Sequence, residues 1–112
     1  MKRIYLGEFE EIVLLSVAVM EGKAYGFALV HDIMEKTGRE TRLNQVHSAL
    51  QRLEEKGMVK SVFGDPTPER GGKRKKFYST TAYGYRTLEE IQQVRASFWS
   101  NLVNPFKFSV SE

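Results

Sequence analysis

Apolar residues recur at helical spacing in four stretches of this chain, and one intervening stretch follows another rhythm. From Gly7 to Glu21, Phe9, Ile12, Val13, Leu15, Val17 and Met20 cover more than half the circumference, which predicts a central core helix. Glu8, Glu10 and Glu11 suit its positive N-terminal end, and Gly22 is a stop. Lys23-Ala24-Tyr25-Gly26 leads into a second helix running to about Thr37. Its expected buried side is Phe27, Leu29, Val30, Ile33 and Met34, and Gly38 ends it. The third helix carries one stripe, Leu43, Val46, Leu50 and Leu53, with Thr41 as the expected N-cap and Gly57 past its end. Met58 to Phe63 then reads as a strand. Gly64, Asp65, Pro66, Pro68, Gly71 and Gly72 interrupt it, and Lys75 to Thr80 returns as a second strand. Thr81 opens a last helix with Tyr85, Leu88, Ile91, Phe98, Trp99 and Leu102 at helical spacing and Arg95 on or near that side. Asn104-Pro105 stops it.

The third helix has a distinctive polar side: Asn44, Gln45, His47, Ser48, Gln51 and Arg52, preceded by Arg42. These side chains can reach base edges or phosphates. Any surface helix is polar outward, but this one has almost no carboxylates before Glu54, as a face meeting phosphate requires. Arg70, Lys73, Arg74, Lys75 and Lys76 crowd the turn between the strands. Arg70, Lys73 and Arg74 are the leading candidates for phosphate or minor-groove contact. Lys76 is expected to point inward along its strand. Lys23 and Tyr25 stand where a phosphate contact is open to them, with Tyr25 equally readable as half-buried packing. A polar-faced helix followed by a hairpin with a basic tip is the signature of a winged helix-turn-helix, mainly α with a small β wing. The aromatic stripe of the last helix has little left to bury against in so small a domain, so its expected occupant is a second copy. Tyr85, Leu88, Ile91, Arg95, Phe98, Trp99 and Leu102 are the expected dimer contacts. The division is residues 1–80 as the DNA-binding domain, 81–104 as a C-terminal dimerisation helix, and 105–112 as a tail.

The chain resembles the PadR-family transcriptional regulators of the short type, with a single C-terminal helix. The resemblance rests on Leu6-Gly7-Glu8-Phe9-Glu10-Glu11, on Ala24-Tyr25-Gly26, and on Leu50-x-x-Leu53-Glu54-Glu55-Lys56-Gly57-Met58-Val59. The wing Pro66-Thr67-Pro68-Glu69-Arg70-Gly71-Gly72-Lys73-Arg74 and Tyr78-x-x-Thr81-x-x-Gly84 complete it. His47 departs from the pattern, standing where the family usually carries Tyr. The resemblance implies a homodimer on double-stranded DNA that represses transcription. Relatives hold a small aromatic effector in a cleft at the dimer centre, which leaves Trp99 two readings, a plain interface anchor or a residue lining such a cleft. The rival reading from the residues is a protein-interaction module whose basic wing meets an acidic partner.

Composition narrows the class. A chain of 112 residues is one domain. Cysteine is absent, which removes disulfides, a thiolate nucleophile and cysteine zinc ligands. No apolar run is long enough to span a bilayer, and the acidic start is wrong for a signal peptide, so the expectation is a cytoplasmic protein without a membrane partner. Net charge is only +3, so the clustering of cations says more than their sum. Catalysis lacks its parts. His31 and Glu35 sit four apart on the second helix without further ligands, and Gly71-Gly72 has no helix after it to hold an anion. No enzyme activity, metal or cofactor is expected.

Overall fold

Three apolar stripes, each unable to hide alone, close on one another, and a hairpin and a fourth helix cover what remains. The coordinates are a computed structural model and describe residues 6–66, 71 and 74–106. In order the elements are α1 (Glu8–Met20), α2 (Gly26–Thr37), α3 (Leu43–Glu55), β1 (Val59–Pro66), β2 (Arg74–Thr80) and α4 (Ala82–Ser100). This is the expected architecture, mainly helical with a two-stranded antiparallel wing.

The core gathers Val13, Leu14 and Val17 of α1, Leu29 and Ile33 of α2, and Val46, Ala49, Leu50 and Leu53 of α3, closed by Met58, Val59, Tyr78 and Leu88. Two details of the burial differ from the pattern. Leu14, not Leu15, is fully buried in α1, and Leu15 is exposed. The helix is apolar nearly all round, so composition does not set its rotational phase. Phe27 and Met34 of α2 are also exposed. Only Leu29 and Ile33 of that helix are buried, because α2 touches the core along a narrow line. The Ser16 hydroxyl donates to Asp32 at 2.6 Å and ties α1 to α2.

The end of α3 shows how the wing is launched. Gly57 takes φ +77°, its N–H donates to the Glu54 carbonyl, and the Met58 N–H donates to the Leu53 carbonyl. This is a Schellman motif, completed by apolar contact between positions such as Leu53 and Met58, both buried here. At its start the helix is capped from Arg42, not Thr41. The Thr41 hydroxyl is buried and donates to the Arg39 carbonyl, so it does not face the helix N–H groups. Gln45 closes the first turn instead, its Oε1 accepting from the Arg42 N–H at 2.9 Å.

The hairpin pairs Val59 with Thr80 through Phe63 with Lys76, then loses register before Pro66 meets Arg74. Both strands extend beyond the expected bounds toward the tip. A further pairing has no counterpart in the sequence pattern: the Tyr78 N–H donates to the Ala24 carbonyl at 2.8 Å, so the α1–α2 connection lies along the wing as a one-residue bridge.

At the junction of α3, wing and α4, Thr81 Oγ1 donates to the Gly57 carbonyl at 2.7 Å and accepts from the Gly84 N–H at 3.0 Å, capping α4. Gly84 packs so closely that a Cβ there would lie 2.2 Å from the Met58 carbonyl oxygen. Beyond Ile91 the arm is exposed throughout, up to residue 106. The radius of gyration, 17.5 Å, exceeds the roughly 13 Å expected of a globule this long, as a projecting arm requires.

Candidate nucleic-acid interface

The single stripe of α3 turns Val46, Ala49, Leu50 and Leu53 inward, which leaves Asn44, Gln45, His47, Ser48, Gln51 and Arg52 exposed, with Arg42 exposed ahead of them. Beside this face the wing and the start of α2 enclose a concavity of about 320 Å³. Its walls include Tyr25, Gly26, His47, Arg74, Lys75 and Lys76, so helix and wing contribute to one cationic hollow with no carboxylate among the described residues that line it. Gly26 makes the close approach possible. A Cβ there would meet Leu43 Cδ1 at 2.7 Å and His47 Nε2 at 2.9 Å.

Aromatic rings order the wing cations. Lys75 Nζ lies 4.1 Å from the centroid of the Tyr25 ring, which itself meets Phe77 edge-on at 5.8 Å. Arg74 and Lys76 both reach the Phe63 ring, at 5.2 and 5.8 Å. Each such contact is worth about 0.5–1 kcal/mol at an exposed site. Lys76 is exposed rather than turned inward, but it shares a strand face with Tyr78 and its Nζ lies 5.8 Å from that ring, so it covers Tyr78 from the solvent side. The Tyr78 hydroxyl is pushed up from its ordinary pKa by burial and then by the nearby Glu54 charge. It stays protonated beside the cations. Arg70 and Lys73 lie outside the described residues.

The expected reading residues divide into two groups. His47, Arg74 and Lys75 share the hollow. Arg52 faces away from it: its Nε donates to buried Glu10 at 2.6 Å, and Lys56 Nζ donates to the same carboxylate at 2.7 Å. Burial pushes the Glu10 carboxyl up, but the hydrogen bonds and charges of Lys56 and Arg52 outweigh it, and the group titrates below its ordinary 4.5. The Gln51 amide lies 3.5 Å from Glu55, at the limit of a hydrogen bond. Tyr25, Gly26 and Phe63 belong to the site although residue type did not single out Gly26 or Phe63. For Gly26 the available signal was a glycine at a helix start, which marks close approach as readily as a turn.

On the arm, Tyr85, Phe98, Trp99 and Leu102 are exposed, Trp99 by 75% and Phe98 by 73%. Val94, Val103 and Phe106 join them. Leu88 is buried in the domain's own core, Ile91 is half-buried, and Arg95 is engaged by Glu11 through a bidentate pair at 2.8 and 2.9 Å. Among the described residues no three His, Asp or Glu side chains gather as metal ligands. No described helix is long and apolar enough to cross a membrane.

Three packed helices, a two-stranded wing beside the polar third helix, and a trailing helix define a winged helix-turn-helix protein of the DNA-binding, transcription-regulating class. The model of the transcriptional regulator PadR-like family matches residues 14–90, and the chain belongs to that family. Among solved structures, a PadR family transcriptional regulator from Eggerthella lenta DSM 2243 is 27% identical, covering 83% of this chain and 80% of its own, with TM-score 0.64. RosR of H. salinarum (21% identical, 88% and 81% covered, TM-score 0.71) shares the fold. So does a PadR-like regulator from Bacillus cereus strain ATCC 14579 (17%, 82% and 84%, TM-score 0.67). Comparison with curated proteins finds no match.

Proposed function

We propose that the protein is a sequence-specific, homodimeric DNA-binding repressor, with α3 reading a major groove and the wing resting on the flanking backbone. The observation that carries this is the shared cationic hollow. His47 from the helix and Arg74 and Lys75 from the wing line one surface with no carboxylate among its described residues, the charge pattern a phosphate backbone selects. Arg42, Asn44, Gln45, His47, Ser48 and Gln51 are the proposed reading residues. Arg70, Lys73, Arg74 and Lys75 are the proposed backbone contacts. Arg52 supports the helix through Glu10.

Dimerisation is proposed through the arm. Tyr85, Phe98, Trp99 and Leu102 form an exposed apolar stripe that a second copy can cover, with Leu15 and Val19 of α1 exposed alongside. Two reading helices then fall in successive major grooves, roughly 34–36 Å apart. Occupancy of a promoter excludes polymerase, in the cytoplasm where the chromosome lies. Trp99 is proposed to line a cleft between the arms for a planar aromatic effector, and quenching of its fluorescence by such compounds tests that part separately.

Selection of bound fragments from a random duplex pool, followed by footprinting, tests the whole. The expected result is a pseudo-palindromic site protected as two half-sites. Failure to enrich any duplex, with a monomer in solution, would instead fit a protein-interaction module.

A further inference from the structure

Adjacent carboxylates in the first turn of α1 hold two different helices. Glu10 holds Arg52 and Lys56 of the reading helix, and Glu11 holds Arg95 of the arm. Both carboxylates are buried, Glu11 at 7% exposure. Among the described residues from 92 to 106, every one is exposed, and the Arg95–Glu11 pair is the side-chain hydrogen bond that joins this stretch to the body. Below that pair α1 and α4 touch along one edge and leave an open groove between them. A crevice of about 530 Å³ separates Leu15, Ala18 and Val19 from Tyr85, Glu89 and Gln92. Leu88, at the floor of that groove, packs into the core and seats the near half of α4, whereas beyond it the side-chain hydrogen bonds that orient the far half are those of the bidentate guanidinium–carboxylate pair, planar and two-pronged.

We infer that Glu11 and Arg95 are positioning residues that set the arm's angle to the body, and so the half-site spacing that the dimer accepts. This rests on the dimeric reading above. The arm helix has 19 residues, about 28 Å at 1.5 Å per residue. A tilt of about 10° moves its far end by about 5 Å, more than the roughly 3.4 Å step between base pairs. Each reading helix is tied to the same first turn of α1 through Glu10, so a change of arm angle carries the reading helix with it as one body.

The test compares the parent with Arg95→Met, which keeps the aliphatic stem, Arg95→Lys, which keeps the charge but not the fork, and Glu11→Gln. Each is titrated against an isolated half-site and against full sites with the half-sites moved one base pair closer or farther apart. The parent is expected to prefer its own spacing by about tenfold or more, the size of a single mismatched base pair. Arg95→Met and Glu11→Gln should reduce that preference to about threefold or less, with half-site affinity within about twofold of the parent. Arg95→Lys should fall between, since a point charge replaces a planar fork. Melting curves for each variant confirm that it is folded at the assay temperature. Unchanged spacing preference in Arg95→Met and Glu11→Gln overturns the inference. So does a parallel loss of half-site binding, which would mean the pair merely holds the domain together. A dimeric parent indifferent to spacing removes this inference alone, whereas a parent monomeric on DNA removes the dimer beneath it as well.

Discussion

Replacing Glu10 with Gln tests how the reading helix is held. The carboxylate accepts from Arg52 at 2.6 Å and from Lys56 at 2.7 Å. Its own side chain is 11% exposed, but those of Arg52 and Lys56 are 49% and 31% exposed. Hydrogen bonds to charged groups contribute about 1.5–3 kcal/mol each when fully desolvated, and exposed ion pairs about 0–1 kcal/mol. With both cations able to turn to water, the loss lies between these, at about 1–2 kcal/mol in total. For a domain of this size that is a fall in Tm of roughly 4–12 °C near neutral pH. The pH dependence follows from linkage. The folded carboxyl titrates below its ordinary 4.5, so its contribution is fully present above that value and is lost as pH falls through the depressed one. Parent and Glu10→Gln should therefore converge as thermal melts are taken from neutral pH down to about pH 3. Circular dichroism on both proteins across that range is the assay. A variant as stable as the parent at neutral pH, or a gap that stays constant on acidification, would refute the reasoning.

Four other substitutions probe separate parts. Gly84→Ala gains about 1 kcal/mol in helix propensity but drives a Cβ into the Met58 carbonyl, for a net loss of about 1–3 kcal/mol in chemical denaturation; a stabilised variant would mean that α4 is not seated on the wing. Phe63→Leu frees Arg74 and Lys76 without altering charge, so DNA affinity should fall about two- to fivefold while the salt slope stays at the parent's value; an altered slope would count against a purely orienting role. Arg52→Met should lower Tm without changing the selected sequence, whereas Gln51→Ala should relax base preference by about 1–3 kcal/mol at one position; selection on both variants decides between the roles.

Strongly periodic segments were legible before any coordinates. The Leu43–Glu55 helix shows one stripe against a polar face, and Gly57 stands where a Schellman motif needs a left-handed residue. The choice between Leu14 and Leu15 was not legible, since α1 is apolar on most sides and its phase is decided only by what packs on it. Nor was the Ala24–Tyr78 bridge, because a single paired residue leaves no alternation to detect. Glu10 and Glu11 had a sufficient local explanation in the helix dipole. Their partners lie 42, 46 and 84 residues away, beyond any windowed pattern. Arg52 and Arg95 look alike from sequence, as outward cations, and only coordinates distinguish a cation free for a partner from one held by the fold. The hollow at Gly26 had the same obstacle, since three separate segments build it.

A polyanionic duplex is the partner on which everything functional here depends. Fluorescence anisotropy of a selected operator duplex, titrated with the protein at a series of salt concentrations, measures this most directly. A basic wing and a helix face without carboxylates before Glu54 predict a log–log slope of about −0.9 per phosphate neutralised, steep and negative, and shallower when Arg74 and Lys75 are replaced by Ala. A flat response, or a slope unchanged by those replacements, would contradict the assignment of this surface to DNA.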